Sequence, residues 1–467
     1  MATLAPAPRI REFPIRQIHR NISLAEILSA LSFALDLTEG AMPGHALRSC
    51  LLGMRLATEL RLPPSRMAGL YYALLLKDVG CSSNAARLCQ IIGGGDERRV
   101  KAGVKLEDWT RPGHPRLSTL RLLWNNVLPL AGPLRRTAGI LRIGLAQHRN
   151  NEEMITLRCD RGASILRKLG LGEVAAEAVR GLDEHWDGGG YPESRTGHAI
   201  PIESRILAVA QHLDVFATAE GPEKAIRVLR ERSGRWFDPE LVRVASALDR
   251  RGDLWKAALP GTPENKVRTS ALGLAPDSVN KLEAGDIDLI CEAFSDVVDA
   301  KSSFTFRHSV GVTQAAVMIA KKMGLNQERT RLVRRAALLH DLGKLRVPNS
   351  ILDKPGRLDP EEWRVVQEHP RLTREILSRI GPFDELAVIA GAHHERLDGS
   401  GYPDHFKACS LTREARIIAV ADVYGALAED RPYRPSLALE KVIEIMYREV
   451  PRKLDPDCFE ALIDSIL

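Results

Sequence analysis

Seven residues in the C-terminal part of the chain are the best placed by type to do chemistry: His308, His340, Asp341, His369, His393, His394 and Asp422. Each lies on or beside a stretch of helical periodicity, and helix-borne side chains can be held rigidly enough for a defined coordination geometry. Imidazoles with shared carboxylates suit Fe, Mn or Zn better than the all-oxygen preference of Mg or Ca. The adjacent His340 and Asp341 cannot both face one side of a helix. They reach a common cleft only if it lies between helices, with the carboxylate bridging two ions. One ion would take His308, His340, Asp341 and Asp422; the other would share Asp341 and take His369, His393 and His394. Two ions about 4 Å apart lower the pKa of water and neutralise charge that builds on a phosphoryl group. Lys344, three residues after Asp341, falls on the same helix face or in the loop just beyond, where it could hold a non-bridging phosphate oxygen. Arg431 and Arg434 in "DRPYRPS" could hold the rest of an anionic substrate. Singly, each residue is ordinary, but a carboxylate such as Asp422 within "IIAVADVYGAL" is costly unless paired or liganded. In "DGSGYP", Gly399 and Gly401 permit positive φ, and Tyr402 is as well suited to scaffold as to chemistry.

The elements that must position these groups are helices. Apolar residues recur at three- and four-residue spacing in "SLAEILSALSFALDL", "HALRSCLLGMRLATELRL", "HSVGVTQAAVMIAKKMG", "RTRLVRRAALLHDLG", "PEEWRVVQEHPRLTREILSRI" and "REARIIAVADVYGALAE". Strand-like alternation is sparse, so the expected class is all-α. The chain also repeats itself. His45 precedes Asp78 by 33 residues, as His308 precedes Asp341; "DEHWDGGGYP" ending at Pro192 matches "HERLDGSGYP" ending at Pro403; "RILAVAQHLDVFA" matches "RIIAVADVYGALA". Two tandem helical domains follow: residues 1–260, a linker over 261–284 rich in Pro, Gly, Ser and charge, and residues 285–467. The first repeat carries about 52 extra residues at roughly 90–145, read as loop and short helix and placed to cover that repeat's cleft.

Composition narrows the function. The net charge of +6 and pI of about 8.9 are mild for 467 residues, and no concentrated basic run appears, so direct nucleic-acid binding is not expected. Seven scattered cysteines without a close CxxC pair fit a reducing cytoplasm. The N-terminus has no secretory h-region, and no stretch approaches the roughly 20 apolar residues of a membrane span, so a cytoplasmic protein without membrane contact is expected.

"HDLGK" at 340–344, "HP" at 369–370, "HHERLDGSGYP" at 393–403 and "ADVYGALAEDRPYR" at 421–434 resemble the HD-GYP subclass of the HD phosphohydrolases, over about 285–467. The resemblance implies an all-α enzyme with two divalent ions, Fe or Mn. It implies a phosphodiesterase that opens cyclic di-GMP or a related cyclic dinucleotide to a linear dinucleotide or GMP. The metal ligands then fall on the seven residues above, the catalytic pair on Asp341 and Lys344, and the substrate phosphate on Lys344, Arg431 and Arg434. Three-metal members carry a glutamate where this chain has Phe304, which implies a bimetallic site. The first repeat resembles the same family but departs from it at most ligand positions: His45 and Asp78 remain, while Lys77 stands for His340, Arg158 for His369, Leu182 for His393, Asp183 for His394, Gln211 for Asp422 and Cys81 for Lys344. Lys77 and Arg158 are expected to fill the vacated space with positive charge, paired with Asp78. The alternative function is a nucleotide-responsive sensor or scaffold, with a protein partner or dimerisation through the first repeat.

Overall fold

Wherever apolar residues recur at three- and four-residue spacing, the chain is helical. A computed structural model describes residues 22–108, 117–276, 282–302, 308–430 and 436–467. Among these, the only extended pairings are the isolated bridges Asp187–Thr196, Ser233–Phe237 and Asp398–Lys407. Phe304, Arg431 and Arg434 lie outside the described residues. The chain divides into two units, one comprising residues 283–347 and 351–467, the other 23–282 with 348–350.

In the C-terminal unit, helices His308–Lys322, Gln327–Leu339 and Arg413–Ala428 pack on one another through Val312, Ala316, Val333, Ala337, Ile418 and Ala421, all buried. Their starts are set by side chains that accept the first free N–H groups. Asn326 caps from Arg329 N, Thr412 from Ala415 N, and Asp359 forms a capping box with Glu362. The periodic stretch "PEEWRVVQEHPRLTREILSRI" is two helices rather than one, Pro360–Gln367 and His369–Ser378. Pro370 causes the break: it has no N–H for the carbonyl of Val366, and its ring crowds that oxygen.

In the N-terminal unit, helices Leu24–Thr38, His45–Glu59, Pro64–Leu76 and Ile202–Glu220 form the corresponding core. The segment 261–284, expected as a linker, contains the helix Glu264–Leu272, whose Val267 and Ala271 are buried in this unit. Those two apolar positions four residues apart were masked in the sequence by the surrounding Pro, Gly and charge. The insert holds the helices Glu97–Val104, Leu117–Asn126 and Pro133–Leu145.

One device recurs in both units. Arg416 Nη1 lies 2.9 Å from Asp455 Oδ2, both buried, while Asp455 Oδ1 caps the helix Pro456–Ile466 at Asp457 N and Cys458 N. Arg205 and Asp238 repeat the pair at 2.6 Å, with Asp238 capping Glu240 N. Removing one partner of a buried pair strands the other charge. Asp455→Ala should therefore lower the unfolding free energy by about 3–5 kcal/mol, measured by denaturant titration.

Candidate metal centre

The seven expected ligands converge in the C-terminal unit. His308 is the first residue of its helix, His340 caps the end of Gln327–Leu339, and Asp341 opens the 3-10 turn Leu342–Arg346. That change of helix type is how an adjacent pair reaches one cleft. His369 begins the helix after the Pro370 break, His393 and His394 follow Asp384–Ala390, and Asp422 projects from Arg413–Ala428. Gly343 brings the turn close, since a Cβ there would sit 2.0 Å from the carbonyl oxygen of His369. Thr373 locks it, donating from Oγ1 to His340 O and accepting from Gly343 N, both at 2.9 Å.

Three of the imidazoles are aimed by helix carbonyls. Nδ1 of His340, His369 and His393 lies 2.7 Å from the carbonyl oxygens of Ala337, Val366 and Ala390 respectively. A carbonyl only accepts, so Nδ1 carries the proton and Nε2 points inward as a donor atom. For His369 the carbonyl is the one to which Pro370, lacking an N–H, cannot donate.

Around Asp341 the histidines divide. Its Oδ2 lies 3.3 Å from His340 Nε2 and 3.9 Å from His308 Nε2; its Oδ1 lies 3.3 Å from His369 Nε2 and 3.7 Å from His393 Nε2. Asp422 spans in the same way, with Oδ1 3.4 Å from His308 Nε2 and Oδ2 3.5 Å from His394 Nδ1. Lys344 Nζ reaches Asp341 Oδ2 at 2.5 Å. Burial raises the pKa of Asp341, but His340 and Lys344 outweigh it and hold the carboxyl well below its usual range. Asp422 is held low in the same way, burial being outweighed by His308, His394 and His340. Burial lowers His308, but Asp422 and Glu429 outweigh it and raise its pKa to about 9. His369 is lowered by burial, and His393 and His394 go well below 6.5 through burial and the neighbouring imidazoles.

The donor set fits a cation. His340 Nε2 and Asp341 Oδ1 are buried without a hydrogen-bond partner. His369 Nε2 and His393 Nε2 stand 3.0 Å apart, although each ring already carries its proton on the other nitrogen. Two facing lone pairs at that distance repel unless a positive centre lies against them. The groups His369–His393–His394, His308–His340–Asp422 and His340–Asp341–His393 each place their donor atoms within 4.8 Å of one another.

The surrounding loop is built on Glu395, whose two oxygens accept from Asp404 N and Phe406 N at 2.8 and 2.9 Å. Gly399 does adopt positive φ, +80°, but Gly401 does not; it is required because a Cβ there would meet Arg396 N at 2.4 Å. Tyr402 packs its ring on His394, centroids 4.7 Å apart. The first repeat keeps this scaffold: Glu184 accepts from Glu193 N and Arg195 N, and Gly188 has φ +83°.

Its centre is different. Lys77, in the place of His340, ion-pairs with Asp78. Arg158, in the place of His369, pairs with Asp183 and not with Asp78. The further cations come from the insert, which sequence reasoning missed. Lys105 Nζ lies 2.7 Å from Glu39 Oε2 and 3.5 Å from Asp78 Oδ1, and Lys101 Nζ lies 3.1 Å from Glu39 Oε1. Glu39, Asp78 and Cys81 come within 4.8 Å of one another. Three lysines already neutralise the carboxylates, and burial pushes the Cys81 thiol up to about 12, so it is a poor ligand.

Comparison with known proteins agrees with this architecture. A model of the HD domain matches residues 142–241 and 292–458. The chain is 39% identical over 446 residues to the 3'3'-cGAMP-specific phosphodiesterase 3 of Vibrio cholerae, covering 94% of each. It is 42% identical over 154 residues to the cyclic di-GMP phosphodiesterase response regulator RpfG of Xanthomonas campestris, covering 32% of this chain and 41% of that one. The crystal structure of a cyclic GMP-AMP specific phosphodiesterase of V. cholerae, V-cGAP3, aligns with a TM-score of 0.64 at 35% identity, covering 95% of this chain and 97% of that one.

Because Lys105 neutralises two buried carboxylates at once, Lys105→Met should cost about 3–5 kcal/mol of stability. Chemical denaturation of the full chain measures it, and an unfolding midpoint equal to that of the unaltered protein would contradict the neutralising role.

Proposed function

We propose, for a chain that belongs to the HD domain family and carries the HD-GYP motifs in its second repeat, that it is a metal-dependent phosphodiesterase of cyclic dinucleotides. One observation carries the reading: the two oxygens of Asp341 face two separate groups of histidines. In this reading Asp341 would be shared between two divalent ions, with His308, His340 and Asp422 able to hold one and His369, His393 and His394 the other. Fe and Mn suit this mixture of imidazole and carboxylate. Bound there, such ions would lower the pKa of water and offset the charge that develops on a phosphoryl group.

The chain's own residues supply the rest. The carbonyl-anchored imidazoles hold their donor atoms fixed, so little reorganisation accompanies the reaction. Lys344 is the nearest side-chain cation to Asp341 and is partly exposed. With a cation held at Asp341, the Lys344 ammonium would be able to hold a non-bridging phosphate oxygen. Arg431 and Arg434 follow the Asp422 helix in sequence and are assigned to the remaining phosphate.

For the bases, the relative that shares both repeats is named for 3'3'-cGAMP, so that substrate is expected ahead of cyclic di-GMP. No helix of the described residues is long and apolar enough to cross a membrane, and a cytoplasmic site of action is proposed with the substrate. The first repeat, with lysines at its centre, is assigned a supporting or partner-binding role and no hydrolysis.

The test is anaerobic loading of the full chain with Fe(II) or Mn(II), followed by product analysis on both dinucleotides. The unaltered protein should bind metal and yield the linear dinucleotide. His340→Ala/Asp341→Ala should fold, lose metal and lose turnover by at least about 10³-fold; undiminished turnover in that variant would rule the mechanism out.

A further inference from the structure

Two of the five histidines of the centre, His308 and His394, are not held by a helix carbonyl, and His308 is held by a close hydrogen bond of another kind. Its Nδ1 faces no helix carbonyl but the carboxylate of Glu429, 2.7 Å from Oε2. A carboxylate accepts, so Nδ1 carries the proton and Nε2 is left toward Asp422 Oδ1. Glu429 is the C-cap of the helix that bears Asp422.

Alignment of the repeats shows how this contact arose. Residue numbers in the second repeat run 263 ahead of the first up to the His-Asp turn, and 211 ahead beyond the insert, as His45 to His308 and Gln211 to Asp422 show. In the first repeat His45 Nδ1 also meets a carboxylate, Asp214 Oδ2, at 2.6 Å. The residue aligned with Asp214 is Gly425, and Glu429 lies four residues further along, one helical turn away on the same face. The orienting carboxylate has moved by one turn.

Its neighbours changed with it. Arg48, which grips Asp214 through Nε at 2.6 Å, aligns with Gly311. A Cβ on Gly311 would sit 2.7 Å from Glu429 Oε1, in the space the relocated carboxylate uses. Ser49 aligns with Val312, and a Cβ on Gly425 would sit 2.9 Å from Val312 Cγ2 and 3.5 Å from His308 Cε1. Small and large residues have been exchanged around one imidazole while its hydrogen bond was kept.

From this we infer that Glu429 is a positioning residue for His308: it fixes the tautomer and the direction of Nε2 and so sets metal affinity, while Gly311 and Gly425 make the room for it. The inference rests on the metal centre proposed above. A group that hydrogen-bonds a ligating histidine typically changes metal affinity by about 10–100-fold when removed.

The experiment is Mn(II) titration of the metal-free full chain, with thermal unfolding of the same samples to confirm that they are folded. Glu429→Ala should weaken binding by about 10–100-fold, and Glu429→Gln, whose amide oxygen still accepts from Nδ1–H, should fall between. Val312→Ser/Gly425→Asp/Glu429→Thr, which moves the carboxylate to its position in the first repeat and leaves Gly311 in place of that repeat's Arg48, should recover affinity relative to Glu429→Ala. A purely structural role for Glu429 would not give that recovery. If Glu429→Ala binds Mn(II) as the unaltered chain does, the positioning role is overturned and the metal centre stands. If the unaltered chain binds no Mn(II), the metal centre itself falls.

Discussion

A buried carboxylate must be met by positive charge. Taking an ion of this size out of water costs several kcal/mol even after relaxation, and Asp341 is 2% exposed. Lys344 reaches one of its oxygens; the other faces two imidazoles whose geometry makes them lone-pair donors. That side of the carboxylate gains little from the protein alone. A cation between Asp341 and the histidines would resolve both problems at once: it would offset the buried negative charge and separate the facing nitrogens of His369 and His393. The rest of the C-terminal unit serves to hold these groups against one another.

How it does so follows from helix ends. A helix terminates with carbonyls that have no N–H within the helix, and in a buried end those groups need partners. Ala337, Val366 and Ala390 find them in the ring nitrogens of His340, His369 and His393. A need of the backbone and a need of the site are met by one hydrogen bond each. Pro370 has a part in this that composition alone would not suggest. It ends one helix, starts the next, and has no N–H to donate to Val366 O, which the ring of the neighbouring His369 reaches. The interior residue Asp422 and the N-terminal residue His308 have no such carbonyl, and they depend on each other and on Glu429 instead.

Much of this was legible before any coordinates. Helical periodicity and the repeated 33-residue spacing identify the all-α class and the two tandem repeats, because both follow from residues close in sequence. That the histidines and aspartates would converge was legible for a second reason: such residues at apolar helix positions are expensive unless used. What escaped the sequence depends on contacts between distant segments. The Glu264–Leu272 helix was hidden because it is held by burial of Val267 and Ala271 rather than by local propensity. Lys101 and Lys105 resemble any solvated lysines of a short helix until the fold carries them to Glu39 and Asp78, more than 20 residues away in sequence. Glu429 was overlooked because its alignment partner is Thr218 and the function it carries belongs to Asp214.

The two repeats meet the same buried aspartate with different partners. Both retain the glutamate-anchored loop, the Arg–Asp clamp and the aspartate of the His-Asp turn. In the first, Asp78 keeps its place and its burial, so losing histidines and ions would leave a bare charge inside the unit. Lys77 takes the place of a ligand and pairs with it, and Lys105 arrives from the insert to neutralise both Asp78 and Glu39. Once those ammonium groups are seated, restoring one histidine cannot restore a metal site, because a divalent ion would have to displace cations already paired in a buried setting. The insert thereby becomes part of the core of its repeat, and the electrostatic demand that gathers histidines around the aspartate in one copy is met in the other by lysine.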